Sequence, residues 1–344
     1  MQRTRSLLKS TQLDSPLQNT SFNKQNGSDA ESHIASQLVK ACSGEIIWGS
    51  REEDNSKIDL VLSCEHPWYA GERMLVLCQA KSGPAYGELR PTGVKIKTRA
   101  IREARRTTHS ICILWVDRDT GRGFCSYINP FSRLENQILG KHHEVSPASL
   151  YDLARQMSYD RPVKTGASGL IIRQRSSDLT ARRSSVKTAY RSIKTVFSPT
   201  LGEIELTRIA WRHMFRKGRS APHKQASLDI IPYLSNILSQ KPSATSIVNS
   251  SDWISGKYSY RNIEYLLRYD RARMARVTQK GKPSKIQILI RVIEEVRYPA
   301  DWAMHAMLTQ LVERRLVLKA AYHKVSVSVQ TGRKRRRGRR HMLI

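Results

Sequence analysis

Five short runs in the first half of the chain, EIIWGS (45–50), KIDLVLS (57–63), MLVLCQAK (74–81), ICILWVD (111–117) and FCSYINP (124–130), are apolar, β-rich and set apart by turn residues. Runs of this length and composition read as strands, so this half of the chain is committed to a sheet. PWYAG (67–71), with Pro67 and Gly71, suits a hairpin connection between the second and third runs, and RDTGRG (118–123) suits one between the fourth and fifth. A helix is expected ahead of them in SDAESHIASQLVKACSG (28–44). There Ser28 has N-cap chemistry, Gly44 is a stop, and Ile34, Leu38 and Ala41 recur at helical spacing with Glu31 at the start of the same stripe. A second, basic helix is expected within KIKTRAIREARRTTH (95–109). The order helix, strands, helix, strand pair predicts a mixed α/β domain over 28–157.

Composition shifts on either side of this block. Residues 1–27 are polar and read as a flexible arm. The stretch 158–195, dominated by Arg, Ser, Thr and Lys, reads as a basic linker with room for a short ordered piece. From 196 to 330 the pattern predicts a mainly helical, basic domain, carried by LTRIAWRHMF, SLDIIPYLSNILSQ, SYRNIEYLLRYDRARMARV, SKIQILIRVIEEVR and ADWAMHAMLTQLVERR. The last two, followed by LVLKAAYHKVSVSV, resemble a helix-turn-helix with a wing hairpin, a unit that sets its second helix in the DNA major groove.

The charge narrows the partner. Fifty-nine Lys and Arg against 29 Asp and Glu leave a net +30, an excess that attracts polyanions and points to nucleic acid. The tail 331–344 holds Arg333, Lys334, Arg335, Arg336, Arg337, Arg339 and Arg340, which are expected to contact phosphates without sequence preference. Tyr258, Tyr260, Tyr265 and Tyr269 interleave with Arg261, Arg268, Arg271 and Arg273, a pattern that suits either stacking on bases or ordinary packing. The five cysteines form no CxxC pair and read as reduced, buried thiols. No signal-peptide pattern opens the sequence and no run approaches the roughly 18 apolar residues of a membrane span. A cytoplasmic protein with no membrane association is expected. A homodimer or a protein partner is compatible with this reading.

The third run ends in Gln79, Ala80 and Lys81, and the second carries Asp59 near its start. Magnesium favours hard oxygen ligands, and a bound divalent cation both neutralises a phosphate and activates water. Asp59 supplies a carboxylate, Gln79 an amide oxygen and Ala80 a backbone carbonyl. Lys81 shares a face with Gln79 because strand side chains alternate, and a lysine there can steady developing charge. Glu31 fits this set too, although Ser28-x-x-Glu31 is also a capping box by spacing. Glu65 and Glu72 read as surface charges of the hairpin, and His142-His143 as a loop pair without ligand-spaced partners.

KIDLVLS followed by QAK resembles the PD-(D/E)XK nuclease superfamily, in the variant where Gln replaces the second acid, familiar from Mrr-type restriction endonucleases. More narrowly, residues 28–150 are similar to restriction-endonuclease-like bacterial domains with a Glu on the first helix and an acidic stretch running into IDL. Those domains go on to a strand ending in QxKS and a later V-D-x-x-T-G hairpin. The matching parts here are Glu31, EEDNSKIDL (52–60), QAKS (79–82) and WVDRDTGRGFCSYI (115–128). The resemblance implies a restriction-endonuclease-like mixed sheet flanked by helices and an endodeoxyribonuclease that uses Mg²⁺ or Mn²⁺. It implies Asp59, Gln79, Ala80 and Glu31 as metal ligands, Lys81 as the catalytic lysine, and a role in restriction or defence. Two departures stand out: Gln79 brings no charge, and EEDNSKIDL is spaced more loosely than the family pattern, which leaves Asp54 without a role. Other readings stay open. One is the end-cleaving subunit of a heteromeric transposase, which shares the Gln-x-Lys site but often shows a Tyr-x-Pro-Asp context missing here. The others are a non-catalytic nucleic-acid-binding protein on a degenerate nuclease fold and an RNA-binding protein.

Overall fold

The computed structural model describes residues 20–49, 58–129, 138–161, 169–173, 179–275 and 283–325. Asp54 and the tail cations Arg333 to Arg340 lie outside the described residues.

Helix α1 (Thr20–Cys42) begins ahead of Ser28, so part of the expected arm is helical and Ser28 and Glu31 sit within the helix rather than at its cap. Its buried stripe is the expected one, with Ile34, Leu38 and Ala41 in the core. The helix stops at Ser43, which takes the left-handed conformation (φ 47°). Gly44 serves close approach instead: a Cβ there would lie 2.8 Å from the Ser63 carbonyl oxygen.

Strands β1 (Glu45–Trp48), β2 (Leu60–Glu65) and β3 (Arg73–Ser82) form an antiparallel meander. The β2–β3 turn is closed by the His66 N–H donating to Glu72 O at 2.8 Å. The chain continues through β4 (Gly87–Arg90), β5 (Gly93–Ile96) and helix α2 (Thr98–Ala104) to β6 (Ile111–Val116), which pairs parallel with β3. Strand β7 (Gly123–Ile128) returns antiparallel, giving the sheet order β1-β2-β3-β6-β7. Strand β8 (Ile138–Gly140) joins β4 and β5 in a small second sheet, and helix α3 (Ser149–Met157) closes the unit. The central sheet is covered on both faces. Leu60, Leu62, Val76 and Cys78 pack with α1 and α3, whereas Ile111, Ile113 and Trp115 pack with Ala100, Ile101 and Ala104 of α2. That is why β6 is apolar at every position: all six residues are buried.

The second unit contains β9 (Ile171–Arg173), α4 (Leu179–Ser192), β10 (Thr195–Ser198), β11 (Gly202–Glu205), α5 (Arg208–Met214), α6 (Ala221–Ile230) and α7 (Leu234–Leu238). The long strands β12 (Ala244–Ser255), β13 (Tyr258–Ala275), β14 (Ser284–Pro299) and β15 (Glu313–Val325) follow. The stretch read from composition as a basic linker therefore supplies a strand paired with β13 and a helix. The sheet runs β10-β11-β15-β14-β13-β12, with β11 and β15 parallel, and helices α4 to α7 cover part of one face.

This corrects the expectation of a mainly helical, winged-helix-like domain. Only LTRIAWRHMF and SLDIIPYLSNILSQ are helical. The segments at 259–275 and 284–297 lie in long strands, and 300–315 holds two short 3₁₀ turns before entering β15. The physical reason lies in β14, where Ile286, Ile288, Ile290, Val292 and Val296 are buried at every second position, and most of the others are not. β-Branched residues at period two build a half-buried strand. The charged residues between them have good helix propensity, and tertiary pairing overrides it.

The two units are joined by buried charge. Arg261 of β13, 2 % exposed, donates to Asp152 of α3 and to the Ala148 carbonyl (3.1 Å), and lies 3.5 Å from Glu294 of β14. Arg155 holds the other Asp152 oxygen at 2.9 Å, and Arg314 of β15 and the Tyr265 hydroxyl share Glu294 at 2.7 and 2.9 Å. Despite the cost of burial, the flanking Arg261 and Arg155 hold the Asp152 carboxyl well below the usual carboxylate range.

Candidate functional site

The β2–β3 ladder ends where the chemistry begins. Its last pair is Leu60↔Cys78, and one step further the Asp59 N–H donates to Cys78 O at 3.0 Å. The Asp59 side chain then turns back and its Oδ2 accepts the Ala80 N–H at 2.7 Å. The carboxylate thus satisfies an N–H that the ladder leaves over, which holds it in a fixed position at the strand tip. Lys81 Nζ lies 3.6 Å from the same Oδ2, with both side chains largely shielded from solvent. The alternation of β3 places Ala80 against α1 and sends Gln79 and Lys81 to the opposite face.

Gln79 is the unusual member. It is fully buried, and among the described residues neither its Oε1 nor its Nε2 has a hydrogen-bond partner. Leaving such a group unsatisfied costs about 1–3 kcal/mol; a bound cation would take the amide oxygen, and the Nε2 donor would need a different partner. The side-chain oxygens at and next to the strand tip, the Asp59 carboxylate and the Gln79 amide, are hard donors of the chemistry that suits magnesium or manganese. Among the described residues no group of three or more His, Cys, Asp or Glu side chains comes together as a metal-holding set. Any cation would be held by a mixed set in which the Gln79 amide and the Ala80 carbonyl join the carboxylates.

A cleft of about 560 Å³ opens beside the strand tip, lined by Ala80, Lys81 and the 82–86 loop on one side and by Gly27, Ala30 and Glu31 of α1 on the other. The structure therefore brings Asp59, Ala80 and Lys81 together and sets Glu31 on the wall of the cleft, whereas Gln79, next to Ala80 on β3, is fully buried and does not line it. Glu65 sits at the far end of β2 and Glu72 in the turn beyond it, away from this tip. His142 and His143 form a 3₁₀ turn elsewhere, and His143 Nδ1 is 3.0 Å from the Cys125 carbonyl oxygen.

Two groups on the cleft wall escaped the sequence reading. Arg118 donates from Nε and Nη2 to Ser82 Oγ at 3.1 and 2.9 Å, and Tyr86 lies under Lys81 Nζ (5.7 Å to the ring centroid) and Arg99 (4.9 Å). Arg118 directly follows the WVD of the hairpin motif, which was the available signal; Tyr86, in a Gly-Pro-Ala-Tyr loop, offered none. The loop is held by Trp115, whose Nε1 donates to Gly83 O at 3.0 Å, and Gly83 itself is left-handed (φ 75°). Compared with family models, with curated proteins and with solved structures, the chain gives no match.

Proposed function

We propose that the protein is a divalent-metal-dependent endodeoxyribonuclease of the PD-(D/E)XK kind, with its reacting centre at the tips of β2 and β3. The observation that carries this reading is the Asp59 carboxylate, fixed by the Ala80 N–H at 2.7 Å, with the Lys81 ammonium 3.6 Å from the same oxygen at the edge of a cleft that Glu31 walls. The mixed sheet flanked by α1 on one face and α2 on the other supports a restriction-endonuclease-like core. Asp59, Gln79, the Ala80 carbonyl and Glu31 would hold Mg²⁺ or Mn²⁺. When bound, the cation supplies charge neutralisation and lowers the pKa of water. Lys81 orients the attacking water and steadies the negative charge that grows on the phosphate. Arg118 and Arg99 lie where they can meet flanking phosphates, and the net +30 draws the polyanion in. A role in restriction or defence follows from the resemblance alone.

A second reading has one observation in its favour. The Asp59 carboxylate is already engaged by the Ala80 N–H and Lys81, as it would be in a nucleic-acid-binding protein whose nuclease site has lapsed. Plasmid and linear DNA incubated with wild type, Asp59→Ala and Lys81→Ala in Mg²⁺, Mn²⁺ or EDTA decide between the two. The nuclease reading expects metal-dependent cleavage by wild type. It expects a loss of roughly a hundredfold or more in each variant, with DNA binding retained. Cleavage in EDTA, or a variant cutting at the wild-type rate, would overturn it.

A further inference from the structure

A cleft of about 980 Å³ in the second unit lies between α4 and α5, far along the chain from the Lys81 site. Two rows of cations border it. Arg183, Lys187 and Arg191 stand four residues apart along α4, and Arg208, Arg212 and Arg216 repeat the spacing along α5 and just beyond. Residues four apart share one helix face, so each row is a line of positive charge along the cleft. All six are exposed, and among the described residues none of them makes an ion pair. Like charges at this spacing weaken a helix, so the rows persist against their own repulsion. Among the described residues of the cleft wall the one acid, Glu205, is already taken by Arg315 at 2.8 Å.

The floor between the rows is aromatic. Trp211 is half-buried, with its ring centroid 5.4 Å from Tyr190 and 4.3 Å from Phe215. Phosphate-spaced cations flanking an aromatic floor are the two elements with which proteins hold unpaired nucleic acid: the cations track the backbone and the rings stack on bases. A duplex presents base edges, not faces, and could use only the rims. We propose that this cleft binds a single-stranded segment of nucleic acid, with the two rows on its phosphates and Trp211 against a base. The proposal shares with the nuclease reading only its polyanionic partner.

Binding of a fluorescein-labelled oligothymidylate is measured by anisotropy in EDTA across a range of NaCl, using the full chain. The triple variant Arg208→Gln, Arg212→Gln, Arg216→Gln should flatten the plot of log affinity against log salt by about 2, at roughly 0.7 per lost contact on a single strand. Trp211→Ala should weaken binding roughly five- to hundredfold, and Trp211→Phe should restore most of the loss. The arginines are exposed and glutamine is a good helix former, so the triple variant separates binding from folding even if Trp211→Ala fails to fold. An unchanged salt slope in the triple variant overturns the proposal. So does a triple variant impaired only toward duplex, or only toward phosphatidylserine vesicles. Because EDTA silences any metal chemistry, inactive protein with normal cleft binding would sink the nuclease reading alone.

Discussion

At the scale of single residues, the most informative atoms are the two ends of the Gln79 amide. They are buried and, among the described residues, unpartnered, so both weaken the fold; a cation would satisfy the oxygen and leave the nitrogen unpaired. Gln79→Leu, which keeps the volume and removes both polar atoms, should stabilise the protein in EDTA by about 1–3 kcal/mol in a urea titration. It should also abolish the rise in Tm that Mg²⁺ gives wild type by binding the native state. A Gln79→Leu variant that still gains Tm with Mg²⁺ would place the cation elsewhere. The pairing of Asp59 with Lys81 was legible in the sequence, because strand alternation and the antiparallel hairpin bring them to one tip. The Ala80 N–H bond to Asp59 was not, because it depends on where the β2–β3 ladder stops, and a sequence does not mark that point.

At the scale of elements, the main sheet of the first unit was readable and the long strands of the second were not, and the difference is physical. β2, β3, β6 and β7 are short apolar runs bounded by turns, a signal with few alternatives. β13 and β14 are long and carry charge on one side, as in Glu264, Arg268, Arg291 and Glu295, so local propensity argued for helices. The period-two run Ile286, Ile288, Ile290, Val292 contradicted that and was the better guide. Packing between elements also fixes individual residues that no local rule marks. Gly87 in β4 lies so close to Trp115 of β6 that an added Cβ would sit 2.5 Å from the indole ring. Gly87→Ala should therefore displace Trp115 and its bond to Gly83 O, and with them the loop on the cleft wall. The expected cost is about 1–3 kcal/mol, the range for overpacking, with a change in tryptophan fluorescence. An alanine variant as stable as wild type would mean that the loop adapts freely.

At the scale of the whole molecule, the joint between the units is polar, and its stability is expected to depend on pH. His66, buried beside Trp68 and Tyr69, has its pKa pushed down to about 4 by burial and then by Arg161. His142, whose carbonyl accepts from Arg261, is pushed down to about 4 by burial and then by His143. The native protein keeps both imidazoles neutral, while the unfolded chain protonates them near pH 6.5. Unfolding thus takes up protons below that pH, so this contribution is complete above about 6.5 and is lost progressively toward pH 4. The depressed Asp152 carboxyl adds a loss at still lower pH, below the ordinary carboxylate range. Urea midpoints measured from pH 8 to pH 4 should fall through this window, and His66→Phe with His142→Phe should flatten the fall. A double variant with an unchanged profile would show that the joint does not sense these protons. The hairpin tip bearing His66 also docks on later sequence: the Tyr69 hydroxyl donates to Pro199 O at 3.2 Å, and Trp68 lies 5.3 Å from the Arg314 guanidinium. The order of the second sheet gives this docking a temporal meaning. Strand β15 is not an edge but lies between β11 and β14, so the last of the described strands to leave the ribosome is the one that closes the middle of the sheet. Until it arrives, β10 and β11 have no neighbour to join and Trp68 has no arginine above it. Contacts of such long sequence separation form slowly, and a chain interrupted before residue 313 would be left with two half-sheets and an unseated hairpin rather than a slightly shorter protein.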